Sequence, residues 1–367
     1  MMLRRHGLAL LATLVGLVFL AVAARNLDGA AVVRALAHAR LWPWLPLGLA
    51  SYAIGHRLRG LRLRRLVSHE VALTPHTSTN VVLVGYAMNN VLPARLGEVV
   101  RAWLLMERSG LSIVQTLTIT LVERLLDALV LLALFGAATA LLPVTPFTST
   151  ALPVAAGLLA FTALVLALGA WAPGPVLAFA SRAANRLAPR AQDAVMRQVH
   201  AALGGLEALR HARAGAAVLG WSLMVWIAEA GLYLALLPAF GLDANPLHAL
   251  FAMTGTNLGL LLPSTPGFVG PFHFFCTQAL AALGVPRELG FGYAVMVHAA
   301  FFVPVTIYGV AVLASHGLSV GRAFSLSRAA EPLPAGAARL APRCAPIVEA
   351  VPSRFVLALT EAAVPVD

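Results

Sequence analysis

Nearly uncharged runs of about 18 residues or more recur along this chain. A run of that length carries an α-helix across a bilayer. Inside hydrocarbon no water is present to satisfy the backbone, so each spanning segment must make its own hydrogen bonds. The composition agrees: of 367 residues 60% are hydrophobic and 11% charged, against about 25% charged in soluble domains. The chain therefore reads as an all-α polytopic membrane protein. Spanning helices are expected near 7–24, 41–56, 114–141, 151–171, 214–238 and 290–314, and shorter apolar pieces at 79–92, 99–106, 247–262 and 268–284. The opening "MMLRRHGLALLATLVGLVFLAVAA" has the charged start and small-residue end of a signal peptide. Its apolar stretch is long enough to span, and it is read as an uncleaved first helix.

Charge orients these elements. The formal net charge is +11, and every basic side chain is Arg. The Arg residues cluster between apolar segments, as the positive-inside rule requires, so nucleic-acid binding is a poor reading of the high pI. Arg4 and Arg5, the stretch "HRLRGLRLRRL" at 56–66, the segment 182–213 and the tail after His316 are all basic, and are placed in the cytoplasm. The connector 172–213 is expected to lie on the membrane surface as amphipathic helix, and 317–367 to be a disordered tail. "LLPVTPFTST" and "GLDANP" have almost no basic charge and are placed outside. Both N- and C-termini then lie in the cytoplasm.

This topology forces a result. The region from 67 to 113 begins and ends inside, and 247–289 begins and ends outside. Each holds two short apolar pieces split by a break, "LPARLGE" at 92–98 and "LPSTPGF" at 262–268. Two opposed re-entrant hairpins with similar breaks are the pattern of inverted-repeat transporters, whose sites lie at the membrane midplane. Pro93 and Pro263 remove backbone donors, and Gly97 and Gly267 permit irregular dihedrals. Broken backbone at that depth persists only where it is buried in protein or lines a wet cavity. Freed N–H groups there attract anions, and Arg95 and Arg101 add planar donors suited to phosphate.

"TLVERLLDALVLL" places Glu123, Arg124 and Asp127 in an otherwise apolar helix. Each charge at a helix centre costs roughly 2.5–3.5 kcal/mol on insertion scales. Glu123 and Asp127 share a face, so Arg95, Arg101 or a proton must compensate them. Glu229 is a lone acid expected to pair with an Arg or to relay a proton, and His273 and His298 are read as hydrogen-bonded core residues. Phe272, Phe274, Phe275, Phe301 and Phe302 are read as packing residues. Two Cys and scattered His make no metal site. No Walker motif occurs in the sequence, and no cofactor is expected.

With these residues in view, the chain resembles the flippase-like family, also known as the lysylphosphatidylglycerol synthase transmembrane region. The resemblance rests on "NNVLPARLGEVVRAWLL", "VERLLDAL" and "LPSTPGFVGPFHFF", in that order, and covers roughly residues 7 to 316. Many members carry an acid where this chain has His273, a departure that puts a role borrowed for that acid in doubt. In bifunctional members this membrane region precedes an aminoacyltransferase domain, which this chain lacks, so the resemblance implies lipid translocation and not lysyl transfer. The substrate would be a phospholipid, an aminoacylated lipid or a polyprenyl- or glycolipid. Its headgroup phosphate would meet Arg95, Arg101 and Arg124. Glu98, Glu123 and Asp127 would hold those Arg residues or meet a cationic headgroup. Asn89, Asn90 and Asn257 would bond freed backbone or headgroup oxygens. Pro93, Gly97, Pro263, Pro266, Gly267 and Gly270 would shape the breaks, with His273 beside them. The alternative is an accessory membrane protein that supports a separate lipid- or glycan-modifying enzyme. A membrane-embedded transferase ranks last, because no donor-binding motif is present.

Overall fold

The computed structural model describes residues 2–68, 70–92, 95–142, 146–187, 192–204, 206, 212–260, 265–315 and 319–321. Pro93, Pro263 and the tail apart from 319–321 lie outside them. Among the described residues the chain is all helical, with no strand. The helices are α1 (Met2–Ala24), α2 (Gly29–Ala37), α3 (Trp44–Leu66), α4 (Pro75–Val91), α5 (Gly97–Ser109), α6 (Ile113–Leu141), α7 (Pro146–Trp171), α8 (Pro173–Leu187), α9 (Gln192–Gly204), α10 (Ala212–Ala239), α11 (Pro246–Gly259), α12 (Pro271–Ala282) and α13 (Arg287–Ser315). A 3₁₀ turn, Pro266–Phe268, precedes α12. By length and composition three helical stretches can cross a membrane: Pro153–Trp171, Gly215–Ala239 and Arg287–Ser315. A fourth span arises if Thr13–Ala24 and Gly29–Ala37, bent by 87°, count as one.

Local chemistry sets the helix starts. Thr74, Ser112 and Asn245 cap α4, α6 and α11 through their side chains, with Pro75 and Pro246 just inside two of them. Ser112 and Gln115 form a reciprocal capping box. The α5 helix ends at Gly110, whose φ of 72° suits a residue without Cβ. The connector was expected to be amphipathic helix, and its described parts form α8 and α9.

The basic stretch 56–66 is the C-terminal half of α3, which continues the second helix expected at 41–56. Along that half Arg57, Arg64 and Arg65 are exposed, whereas Arg59 and Arg62 are 2% and 1% exposed. Arg59 and Arg62, three residues apart, share the face of Tyr52, Leu63 and Leu66, so helical periodicity sorts the five Arg residues between exterior and core.

Helices α3 and α10 lie side by side and run antiparallel: Gly48 faces Leu232 and Ala235, Gly55 faces Ala228 and Val225, and Arg62 reaches Ser222. Small residues let the backbones approach, and the Ser51 hydroxyl donates to the Ala228 carbonyl at 2.8 Å. Helices α4 and α5 form one hairpin, and α11 and α12 the other. The packing is reciprocal: α4 lies on α13 as α11 lies on α6, and α10 touches α6 as α3 touches α13. The first hairpin closes tightly. A Cβ on Gly97 would collide with the Asn89 backbone nitrogen and the Gly85 carbonyl, and one on Gly85 would collide with the stem of Arg101.

Gly97→Ala should therefore destabilise the protein by about 1–3 kcal/mol through overpacking. Gly220→Ala, where no atom lies within 4 Å of the new Cβ, should be neutral or gain up to ~1 kcal/mol of helix propensity. Thermal unfolding of the two purified variants in detergent, read by tryptophan fluorescence, checks the contrast.

Candidate functional site

The acids of α6 are matched by Arg residues from two other helices. Arg62 forks onto Asp127, with Nη1 to Oδ1 at 2.5 Å and Nη2 to Oδ2 at 3.2 Å, and Nη1 also donates to the Ser222 hydroxyl at 2.9 Å. Its Nε lies 3.5 Å from Glu123 Oε1, an ionic contact without hydrogen-bond geometry. Arg101 pairs with the other oxygen of Glu123. Trp226 donates its indole N–H to Asp127 Oδ1 at 3.2 Å. Two carboxylates four residues apart thus sit 0% and 3% exposed without net repulsion, because Arg62 lies between them. Of the two Arg residues expected to compensate them, Arg101 is found and Arg95 is not, and Arg62 enters unanticipated.

A second buried pair joins α3 to α10. Arg59 Nη2 donates to Glu229 Oε2 at 2.6 Å. Asn257 on α11 donates to Glu229 Oε1 at 3.2 Å and to the Met253 carbonyl at 3.0 Å. The Arg59 guanidinium lies 5.0 Å from the Trp226 ring centre and 5.4 Å from that of Tyr86, both within cation–π range. Arg124 is more open, 29% exposed, with Nε 3.5 Å from Glu98, and it donates to the Tyr86 hydroxyl at 3.3 Å.

The two breaks meet. Arg95 has a positive φ of 56° and sends its guanidinium to the Leu260 carbonyl at the end of α11, over the ring of Phe268 at 5.5 Å. Gly267, with φ 67°, fits beneath Phe302 close to the Asn90 carbonyl. His298 donates from Nε2 to the Gly267 carbonyl at 2.7 Å. The His298 ring packs 4.8 Å from that of His273, whose Nδ1 faces the Gly270 N–H at 3.5 Å. Gly270, with φ 98°, lies against the Gly16 carbonyl of α1, so a Cβ there would collide. Phe272 stacks on Phe301 at 5.8 Å, and Phe19 of α1 packs on Phe274 and Phe275.

Where the breaks meet lies a cavity of about 80 Å³. Its wall includes Asn89, Arg95, Glu98, Arg124, Asp127 and Asn257 from the motifs singled out in the sequence. Asn90 does not reach it; its amide donates to the Thr306 hydroxyl on α13 at 2.8 Å. Arg101 and Glu123 form a buried pair outside the wall, Pro266 opens the 3₁₀ turn, and Gly97, Gly267, Gly270 and His273 shape the hairpins. The sequence reading missed Arg59, Tyr86 and Trp226 as wall residues. The periodicity of α3 was the one signal for Arg59. Glu229 had been expected to pair with an Arg, and it does.

Several helices of spanning composition around a buried ionic cluster define a multi-pass membrane protein. More narrowly, the chain belongs to the lysylphosphatidylglycerol synthase transmembrane-region family, whose model matches residues 9–309. It is also 26% identical over 301 residues to the glycosyltransferase AglD of Haloferax volcanii, a match covering 73% of this chain and 48% of that protein. The chain thus spans about half the length of that curated relative.

Removing Arg62 leaves two buried carboxylates facing one another. Arg62→Met should cost about 3–5 kcal/mol, the usual penalty for breaking a buried ion pair from one side. Loss of folded protein in fluorescence-detected size-exclusion chromatography checks this, with Arg64→Met, at an exposed position, as the unaffected control.

Proposed function

We propose that this protein is a lipid translocase of the bacterial inner membrane, and that a headgroup phosphate binds in the cavity where the two hairpin breaks meet. The observation that carries the reading is Arg95 of the first break bonded to the Leu260 carbonyl at the second, on the wall of a charged cavity. A site made jointly by two broken hairpins suits alternating access, because opening either hairpin exposes the same site to a different face. The reciprocal packing of α3–α6 with α10–α13, and the antiparallel run of α3 and α10, support an inverted repeat. In that arrangement about six helices span. They include α3 and α6, whose charges face partners inside the protein, and both termini lie in the cytoplasm. Asn89, Arg95, Glu98, Arg124, Asp127 and Asn257 would meet the headgroup. Arg101, Glu123 and Asn90 would hold the walls, and Pro93, Gly97, Pro263, Pro266, Gly267, Gly270 and His273 would set the breaks.

The partial match to a protein named a glycosyltransferase supports a second reading, a membrane module that works with a lipid- or glycan-modifying enzyme.

In liposomes carrying a fluorescent phospholipid, the wild-type protein should speed exposure of the inner-leaflet label to an impermeant quencher. Arg95→Ala and Asn257→Ala should slow it about tenfold, the loss of roughly one charge-assisted hydrogen bond. A wild-type rate equal to that of protein-free liposomes would sink the translocase reading and leave the second one.

A further inference from the structure

Each hairpin ties its second helix to the helix that follows it. In the first, Arg101 near the start of α5 pairs with Glu123 of α6. In the second, His273 in the first turn of α12 meets His298 of α13, with ring centres 4.8 Å apart and the residues 7% and 8% exposed. The same place in the fold holds an ion pair in one hairpin and two imidazoles in the other. An ordinary imidazole changes charge between pH 5 and 8, whereas a guanidinium does not.

The two imidazoles brace the two glycines of the second break. His298 donates from Nε2 to the Gly267 carbonyl at 2.7 Å, and Nδ1 of His273 accepts from the Gly270 N–H at 3.5 Å, at the start of α12. A carbonyl only accepts and an amide N–H only donates, so each neutral ring carries its proton on Nε2. A proton added to His273 lands on Nδ1 and sets donor against donor at Gly270. Among the described residues the other partners of the two rings are Phe272, Phe291, Phe301 and Phe302. Helices α1, α11 and α13 pack on α12, and α2, α3, α4 and α10 pack on α13. The inward titratable groups of these helices are committed elsewhere: Arg59 to Glu229, Arg62 to Asp127, Tyr293 to the Tyr233 carbonyl, and His56 between the rings of Tyr52 and Tyr86. Arg95 of the first break reaches the Leu260 carbonyl over Phe268, and Cys276 lies one turn along α12. Arg34, His76, His248, Arg287 and Glu288 reach the surface. A charge on His273 thus has no counter-ion in the closed break, where it is costly.

We infer that the His273–His298 pair is a proton-binding site, and that a proton taken from water on Nδ1 of His273 opens the second break at Gly270. The closed break excludes the proton and the open one, wetted, accepts it, so acid shifts the population toward the open form. Two cations at this spacing repel, so the pair takes one proton and not two. The existence of the site stands on its own geometry, and its purpose rests on the translocase reading above. Under that reading the proton is the coupling ion: binding it frees the second hairpin, and returning it to water lets His273 recapture the Gly270 N–H. The first hairpin, held by Arg101 and Glu123, has no such trigger.

Cys276, 0% exposed on α12, reports the opening. The test uses the purified full chain carrying Cys344→Ser, so that Cys276 is the one thiol in the sequence. The rate of its reaction with 2,2′-dithiodipyridine in maltoside micelles is followed from pH 7.5 to 5.5 and divided by that of free glutathione at each pH. An imidazole that ionises near pH 6.5 in the open form alone raises the open population about tenfold over that range. The corrected rate should rise by about that factor. His273→Gln keeps an acceptor for the Gly270 N–H at every pH, as Gln does in a capping box, and its corrected rate should stay flat. A purely structural histidine would give no such difference in pH profile. His273→Asn, with a shorter amide, serves the same purpose should the Gln variant leave Cys276 reactive at pH 7.5. A flat wild-type profile, or a rise that persists in both amide variants, would overturn the inference. Lipid flux in liposomes separates it from the reading it serves. Flux with flat labelling would leave the translocase without this proton site. Labelling that rises in acid, with flux absent at both pH values, would keep the site and sink the translocase.

Discussion

The fork of Arg62 onto Asp127 is the contact on which the rest of the structure depends. It fixes α3 against α6, and through Ser222 and Trp226 it draws in α10. Asp127 and Glu123 could not share a buried face without it. Once α3 is fixed, Arg59 falls opposite Glu229, Glu229 accepts from Asn257, and the second hairpin is tied to the helix that carries the first pair. A chain of charge-assisted bonds thus positions elements far apart in sequence. Van der Waals packing alone is a weaker guide in a bilayer, where lipid tails are as apolar as the side chains they would replace.

Small residues make that network reachable. Gly48, Ser51 and Gly55 let α3 approach α10, and Gly85 makes room for the stem of Arg101 on its way to Glu123. At the breaks, Gly267 and Gly270 have positive φ and lie under Phe302 and against α1, so they combine the two properties that only glycine offers. Gly267 and Gly270 in the irregular backbone before α12 are accordingly buried, with His298 bonding the Gly267 carbonyl, as membrane-buried breaks require.

The helical class, the hairpin segments and part of the cavity wall were legible in the sequence. Asn89, Arg95, Glu98, Arg124, Asp127 and Asn257 all lie on one wall, because proline, glycine and charge in apolar surroundings are local signals. Arg59 and Arg62 were not legible as interior residues. The positive-inside rule treats a basic cluster as a loop and ignores the helical phase that splits such a cluster in two. Asn90, next to Asn89 in sequence, points about 100° away on the helix and bonds α13.

The sequence by itself determined where helices form, where they break and that charges must be buried, since each follows from residues within a few positions of one another. The tertiary structure decided which charge meets which. The partner of Glu229 is 170 residues away and that of Asp127 is 65 away. Electrostatics demands a counter-charge for every buried acid but does not name it. That choice waits on helix packing, which Gly48, Ser51 and Gly55 permit and which no local pattern records.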